Sequence, residues 1–143
     1  SKSAPAANKG AAENTSSSGD FFSQKLAKPV NAKASSSYGS MHHGVRSNGV
    51  LYEVKNVPIF SIATGVVKYV GDLPGFGVVI VIAYADNYIS IYGGVIPDVI
   101  KGQKVTIGQV IANAGILSNQ PMRGVYFELR HLGQPVNPWE LVN

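Results

Sequence analysis

From Val50 to His131 the sequence alternates between short runs rich in Val, Ile, Tyr and Phe and turns that contain Gly, Pro or Asn. Runs of this composition fit a pleated, half-buried strand, and the turn residues between them are typical of a chain of hairpins. No long stretch carries the 3.6-residue period of an amphipathic helix. The sequence therefore predicts an all-β domain, either a twisted antiparallel sheet or a small sandwich. The predicted strands are 50–54, 58–62, 65–71, 77–84, 88–94, 104–111 and 125–131.

Two glycine-containing segments indicate how these strands are joined. They are ATGVVKYVG (63–71) and KGQKVTIGQVIANAG (101–115). In the second segment, Gly102 and Gly108 can adopt the positive φ that tight hairpin corners need. Val105, Val110 and Ile111 can then face inward, so the segment predicts a compact β core. Single turns of helix are predicted near residues 97–100 and 138–141.

The N-terminal part of the chain differs in composition from the rest. Its first 20 residues are mostly Ala, Ser, Lys, Asn and Gly, and they contain no Val, Leu, Ile or Met. Such a segment cannot bury enough apolar surface to offset the entropy lost on ordering. We therefore predict a flexible Ser/Ala-rich linker over residues 1–25 and a folded domain over residues 26–143.

Charge and cysteine content exclude several classes of function. The formal charge is +4, but Lys2, Lys9 and Lys25 lie in the predicted linker, so the domain is only mildly basic. It has no Lys/Arg cluster with interleaved aromatic residues, which argues against nucleic-acid binding. The chain has no cysteine, which excludes disulfides and thiolate metal sites. No apolar run approaches the length of a membrane span.

The stretch from Leu26 to Leu141 resembles the LytM/lysostaphin-type zinc endopeptidases, which cleave peptidoglycan cross-bridges. The order and spacing of five segments carry the resemblance. They are KPVNAKASSSYG (28–39), ATGVVKYVGDLPGFGVVIVI (63–82), YISIYGG (88–94), KGQKVTIGQVIANAG (101–115) and VYFELRHLGQPVNPW (125–139). The resemblance implies a twisted antiparallel sheet with a central groove.

The resemblance also implies where zinc ligands should stand. The family uses the His and Asp of a His-x-x-x-Asp motif and the second His of a His-x-His motif. The second His falls on Tyr126, the first His on Gly124, and a further assisting His on Gly94. Glycine has no side chain and a neutral phenol is a poor zinc ligand, so no metal and no other cofactor is expected. Gly94 and Gly124 in place of histidines predict a wider groove.

The register of the His-x-x-x-Asp motif remains open between two glycines. With Gly49 as the motif glycine, the pair falls on Ser47 and Leu51, and the spacing to Ile59 favours this register. With Gly44, the pair falls on His42 and Arg46. The Asp is absent in both registers. We expect His42, His43 and His131 to be exposed rather than metal-bound.

The ending VYFELRHLGQPVNP is similar to that of degenerate family members that activate murein hydrolases. This resemblance implies a domain without hydrolytic activity that binds and activates an N-acetylmuramoyl-L-alanine amidase. Its setting would be the bacterial periplasm or cell envelope, in cell-wall remodelling or daughter-cell separation. Other envelope or division proteins are further possible partners. Glu128 is expected to support the fold and Trp139 to cap the core. The predicted partner-binding groove consists of Tyr84, Tyr92, Gly94, Tyr126 and Arg130.

Three alternatives stay open at the level of sequence. One is a non-catalytic scaffold that joins envelope proteins in a cell-shape or sporulation complex. Another is an active zinc endopeptidase with unusual ligands, against which the missing histidines and Asp count. The third is a lipoyl- or biotinyl-type carrier, whose hairpins follow a similar glycine pattern. Lys55 and Lys68 lack the sequence context of a carrier's attachment lysine.

Overall fold

The computed structural model describes residues 19–35, 39, 41–42, 45–46, 48–114 and 124–138. Within these residues the chain forms one short α-helix, one turn of 3-10 helix at Ala85–Asn87 and twelve strands. They are α1 (Gly19–Phe22), β1 (Met41–His42), β2 (Val45–Arg46), β3 (Val50–Tyr52), β4 (Pro58–Phe60), β5 (Gly65–Leu73), β6 (Gly77–Ala83), β7 (Tyr88–Gly93), β8 (Ile96–Pro97), β9 (Lys104–Val105), β10 (Val110–Asn113), β11 (Val125–His131) and β12 (Gln134–Val136).

The strands form three antiparallel sheets. The large sheet has seven strands in the order β12-β11-β7-β6-β5-β9, and β3 pairs with the N-terminal half of β11. A small sheet has the order β4-β10-β8, and β1 and β2 form a hairpin. This confirms the predicted all-β antiparallel architecture.

The core lies between the large and the small sheet. Tyr92 and Phe127 project into it from the large sheet and meet edge to face, with ring centroids 5.2 Å apart. Ile59 and Ile111 contribute from the small sheet, and all four side chains are fully buried. Side chains alternate between the two faces of a strand, so every second residue of the large sheet points away from this core.

Two predicted elements differ in the structure. Residues 104–111 form two strands in different sheets, because the chain turns back at Thr106–Gln109 with Gly108 at φ +79°. The helix predicted near 97–100 does not form. Instead, the Asp98 N–H donates to the Ile111 carbonyl and the Ile100 N–H donates to Gln103 Oε1. The helix predicted near 138–141, and Trp139, lie outside the described residues except for Pro138.

The folded unit begins earlier than the predicted boundary at residue 26. Gly19–Phe22 form α1, and the Phe21 side chain is fully buried in the core. The aromatic pair Phe21–Phe22 supplies the apolar surface that the preceding residues lack. Residues 1–18 of the predicted linker lie outside the described part. In that part, no helix is long and apolar enough to cross a membrane.

Candidate partner-binding groove

One face of the large sheet forms the floor of the candidate groove. On β11, Tyr126, Glu128 and Arg130 lie opposite Gly93, Ile91 and Ile89 of β7. Directly opposite residues of antiparallel strands share a face, so these six residues belong to one surface. Strand β6 continues it through its own partners of β7. We call the following set the groove floor: Tyr126, Glu128, Arg130, Gly93, Ile91, Ile89, Val79, Val81 and Ala83.

Tyr84 and Tyr92, predicted to line the groove, lie on the core side of the sheet instead. The fully buried Tyr92 hydroxyl donates to the Phe60 carbonyl at 3.0 Å and accepts the Ile62 N–H at 3.1 Å. The Tyr84 hydroxyl is 2.5 Å from Ser90 Oγ. Burial raises the pKa of Tyr84 to about 12, and it also raises the pKa of Tyr92 well above its ordinary value. Both side chains form hydrogen bonds within the core, so the prediction that Tyr84 and Tyr92 line the groove is wrong.

Tyr126 lies on the groove floor, but its side chain is covered. Its hydroxyl donates to Glu128 Oε1 at 2.6 Å, and its ring packs on Phe76 with centroids 4.9 Å apart. A Cβ added at Gly49 would come within 2.7 Å of the Tyr126 hydroxyl, so the ring needs a glycine beneath it. Burial, followed by the bond to Glu128, raises the pKa of Tyr126 far above its usual value. Tyr126 is therefore a fixed, neutral phenol.

Glu128 accepts a second hydrogen bond from Arg130. Arg130 Nη1 forms an ion pair with Glu128 Oε2, and Nη2 donates to the Gly133 carbonyl at 2.6 Å. The Glu128 side chain is 5% exposed and that of Arg130 is 29% exposed. A buried carboxylate is stable only when it is paired and hydrogen-bonded. Arg130 thus compensates the charge of Glu128 within the domain itself.

The two glycines at expected histidine positions have different surroundings. Gly94 follows β7 with φ +74°, and its N–H donates to the Val78 carbonyl at 2.9 Å. Gly124 has φ +137°, and a Cβ added there would lie 2.0 Å from the Tyr52 carbonyl oxygen. Gly124 therefore faces the backbone of β3 rather than open space. It does not widen the groove, contrary to the expectation from sequence.

The strand pairing also bears on the ligand register. Leu51 of β3 lies directly opposite Tyr126 of β11. The register with Gly49 as motif glycine thus brings two of its three ligand positions together on the floor. The side chains of residues 41–47 lie outside the described part, including His42, Arg46 and Ser47 of the two registers and His43.

These residues do not fit zinc. Leu51 has no donor atom, and the Tyr126 hydroxyl already donates to a carboxylate while its pKa stays high. Zinc in proteins is held by thiolate, imidazole or carboxylate groups. Among the described residues, no group of three or more His, Cys, Asp or Glu side chains could hold a metal ion.

The accessible part of the groove floor is aliphatic. Tyr126 and Gly93 are buried next to Phe76, and Val79 is buried as well. Val81, Ala83, Ile89 and Ile91 are half-buried. We call these last four residues the aliphatic strip. Sequence reasoning did not name them. Ile91 and Ile89 follow by alternation only once the pairing of Gly93 with Tyr126 is known.

The sequence profile of peptidase family M23 matches residues 40–138 of this chain. The chain belongs to peptidase family M23. This confirms the predicted LytM/lysostaphin-type domain and leaves no support for a carrier domain.

Several named proteins are similar to this M23 domain. An uncharacterized protein of Neisseria meningitidis serogroup B is 36% identical over 126 residues, which is 85% of this chain. Murein hydrolase activator EnvC of Escherichia coli is 33% identical over 77% of the chain, and murein hydrolase activator NlpD of Salmonella dublin is 31% identical over 77%. The matched regions span 21%, 27% and 29% of these relatives.

The fold has close counterparts among solved structures. A zinc-containing peptidase from Vibrio cholerae superposes with a TM-score of 0.69 at 25% identity, over 80% of this chain and 39% of the other. The M23 fold is thus shared with proteins that carry zinc.

Proposed function

We propose that this M23 domain is non-catalytic and activates a peptidoglycan amidase in the bacterial cell envelope. The observation that carries the proposal is the state of Tyr126, which occupies a ligand position and is held between Glu128 and Phe76. The names of EnvC and NlpD support the activating role, since both are murein hydrolase activators. The amidase class is N-acetylmuramoyl-L-alanine amidase, the class implied by the sequence resemblance.

The chemistry of the floor supports the absence of hydrolysis. Metal-assisted hydrolysis needs a bound cation that polarises the scissile carbonyl or activates water. Leu51 and Tyr126 cannot hold such a cation. Glu128, the carboxylate on the floor, is engaged by both Tyr126 and Arg130 and is not positioned to act as a base.

The aliphatic strip supports binding of an amphipathic segment of the partner. A helix that presents apolar residues at every third and fourth position fits a groove of this kind. The bonds to Glu128 and Gly133 use two of the five N–H donors of the Arg130 guanidinium. The partly exposed Arg130 can therefore also meet a carboxylate of the partner, beside the apolar contacts.

Binding is tested by calorimetry with a cognate amidase and two matched variants. Val81→Asp places a charge in the aliphatic strip, and Val110→Asp places the same charge on the 46% exposed valine of the small sheet. We expect Val81→Asp to weaken binding by at least about tenfold, which is roughly 1.4 kcal/mol. Val110→Asp should bind like the parent.

Thermal melting of both variants shows whether each remains folded. Equal affinity of a folded Val81→Asp variant and the parent would mean that the partner does not use this floor. Tight binding without any gain in amidase activity would instead support the scaffold alternative.

A further inference from the structure

Phe21 occupies a built site on the core side of the large sheet. Its ring stacks on Tyr88 with centroids 4.2 Å apart and an interplanar angle of 12°, and it lies 5.6 Å from the ring of Tyr84. Its backbone N–H donates to Asp86 Oδ2 at 2.8 Å. A helix of four residues is not stable alone, so α1 forms because it is docked in this site.

Asp86 is the residue that accepts the backbone hydrogen bond of this segment. It adopts a left-handed conformation, with φ +63° and ψ +28°, which Asp tolerates better than most residues. The residue is 9% exposed, and its buried Oδ1 has no hydrogen-bond partner among the described residues. A buried carboxylate is costly unless it accepts hydrogen bonds, and the Phe21 N–H supplies one.

The Phe21 site is connected to the groove floor through the ends of two strands. The second face of Tyr88 stacks on His131, with centroids 4.2 Å apart, so His131 is half-buried rather than exposed as predicted. Tyr88 begins β7 and His131 ends β11, and the two residues are paired. The next pair along the same two strands is Ile89 with Arg130, which points to the groove floor.

We propose that residues 19–22 act as a strap that couples the chain upstream of the domain to the groove floor. With Phe21 docked, the Phe21–Tyr88–His131 stack holds the ends of β7 and β11 together. Undocking the strap removes one ring of the stack. The pairing between the ends of β7 and β11, where Ile89 lies opposite Arg130, then becomes less stable. The upstream part of the protein could in this way set whether the groove is ordered for its partner. The coupling to the floor stands by itself, and only its effect on the partner rests on the proposed function.

Amide hydrogen exchange on the full chain tests the coupling without any partner. The variants are Phe21→Ala, which empties the site, and as a control Tyr69→Ala, which removes an aromatic ring of β5 that is 42% exposed and lies outside the stack. We expect Phe21→Ala to speed exchange in residues 88–91 and 129–131 by about tenfold or more, while residues 110–113 in the small sheet exchange as in the parent. Tyr69→Ala should change neither region by more than about twofold.

A milder variant covers the case in which Phe21→Ala fails to fold. Asp86→Gly keeps the positive φ accessible and removes only the carboxylate that accepts the Phe21 N–H. It should speed exchange in the same two strand ends by a smaller factor. Unchanged exchange at residues 88–91 and 129–131, with faster exchange at Phe21 itself, would overturn the proposal and reduce the strap to a local anchor.

Amidase binding then separates this inference from the proposed function. Weaker amidase binding by Phe21→Ala, together with faster exchange at the strand ends, is the result we expect. If the parent itself binds no amidase, the proposed function fails. The exchange result still decides whether the strap is coupled to the groove floor.

Discussion

Glu128 is the residue on which the groove floor depends. Its two carboxylate oxygens accept hydrogen bonds from Tyr126 and Arg130, and its side chain is almost completely buried. Removing one partner of a buried charge leaves the other without compensation, which destabilises more than the pair stabilises. Arg130 therefore has a structural role in addition to any contact with a partner.

Arg130→Ala is predicted to lower the free energy of unfolding by about 2 kcal/mol, because Glu128 then stays buried without its cation. In a Glu128→Gln background the same substitution should have a clearly smaller effect, since no charge remains to be compensated. Lys68→Ala, on an exposed lysine of β5, is the control and should change stability by less than about 0.5 kcal/mol. Urea denaturation measures all four variants. An unchanged midpoint for Arg130→Ala would show that the ion pair does not hold the floor.

For single residues, the sequence could identify which positions belong to the groove but not which side chains they contact. The resemblance pointed to Tyr126 and Arg130, and the period of two along β11 puts both on one face. Tyr84 and Tyr92 were misplaced because the face that a strand presents depends on its pairing with β11, which is a long-range property. The bonds from Glu128 to Tyr126 and Arg130 could have been anticipated, since alternate residues of one strand are neighbours on its surface.

Among the secondary-structure elements, the hairpin of β11 and β12 has backbone strain in its turn. Its two-residue turn has positive φ at both central residues, +52° at Leu132 and +80° at Gly133. This is the pattern of a type I′ turn, which favours Asn-Gly over Leu-Gly. Leu132 is 67% exposed, so its side chain contributes little packing that would offset the strain.

Leu132→Asn is predicted to raise the free energy of unfolding by about 0.5–1 kcal/mol, because Asn adopts a positive φ more readily than Leu. Gly133→Ala is the matched opposite change. A Cβ there meets no atom within 4 Å, so only backbone strain acts, and we expect a loss of about 1 kcal/mol. Thermal and urea unfolding measure both. A less stable Leu132→Asn variant would mean that Leu132 makes a packing contribution larger than its strain.

The strands of the large sheet could be predicted because hydrophobic runs and glycine turns are local signals. The run 77–84 became β6 and the run 125–131 became β11, with bounds within a residue. The split of 104–111 could not be predicted, since it depends on two different sheets receiving its halves. Helix α1 was missed because four residues carry no period, and it forms only against Tyr88 and Asp86.

The domain as a whole buries several tyrosine hydroxyls, and this sets its response to alkaline solution. Burial raises the pKa of Tyr84 to about 12, and the pKa values of Tyr52, Tyr92 and Tyr126 are raised as well. In the unfolded chain a tyrosine titrates near pH 10. Above that pH the unfolded state loses protons that the folded state retains, so folding stability falls as pH rises.

We therefore predict that ionisation of these tyrosines does not change the free energy of unfolding below about pH 9. Above about pH 10 it should lower the free energy of unfolding progressively. Ultraviolet absorbance of tyrosinate should show a group of residues that ionise only when the protein unfolds. Tyr84→Phe should reduce the loss of stability between pH 10 and pH 12. Smooth titration of all seven tyrosines near pH 10 in a folded protein would contradict this account.

Release of dye from labelled peptidoglycan is the measurement that tests the central claim most directly. The arms are the domain alone, the domain with added zinc salt, a cognate amidase alone, and the domain with the amidase. We predict no release by the domain with or without zinc, because Leu51 and Tyr126 cannot complete a metal site. We predict more release by the domain and amidase together than by the amidase alone. Release by the domain itself, or an amidase rate that the domain leaves unchanged, would contradict a non-catalytic activator.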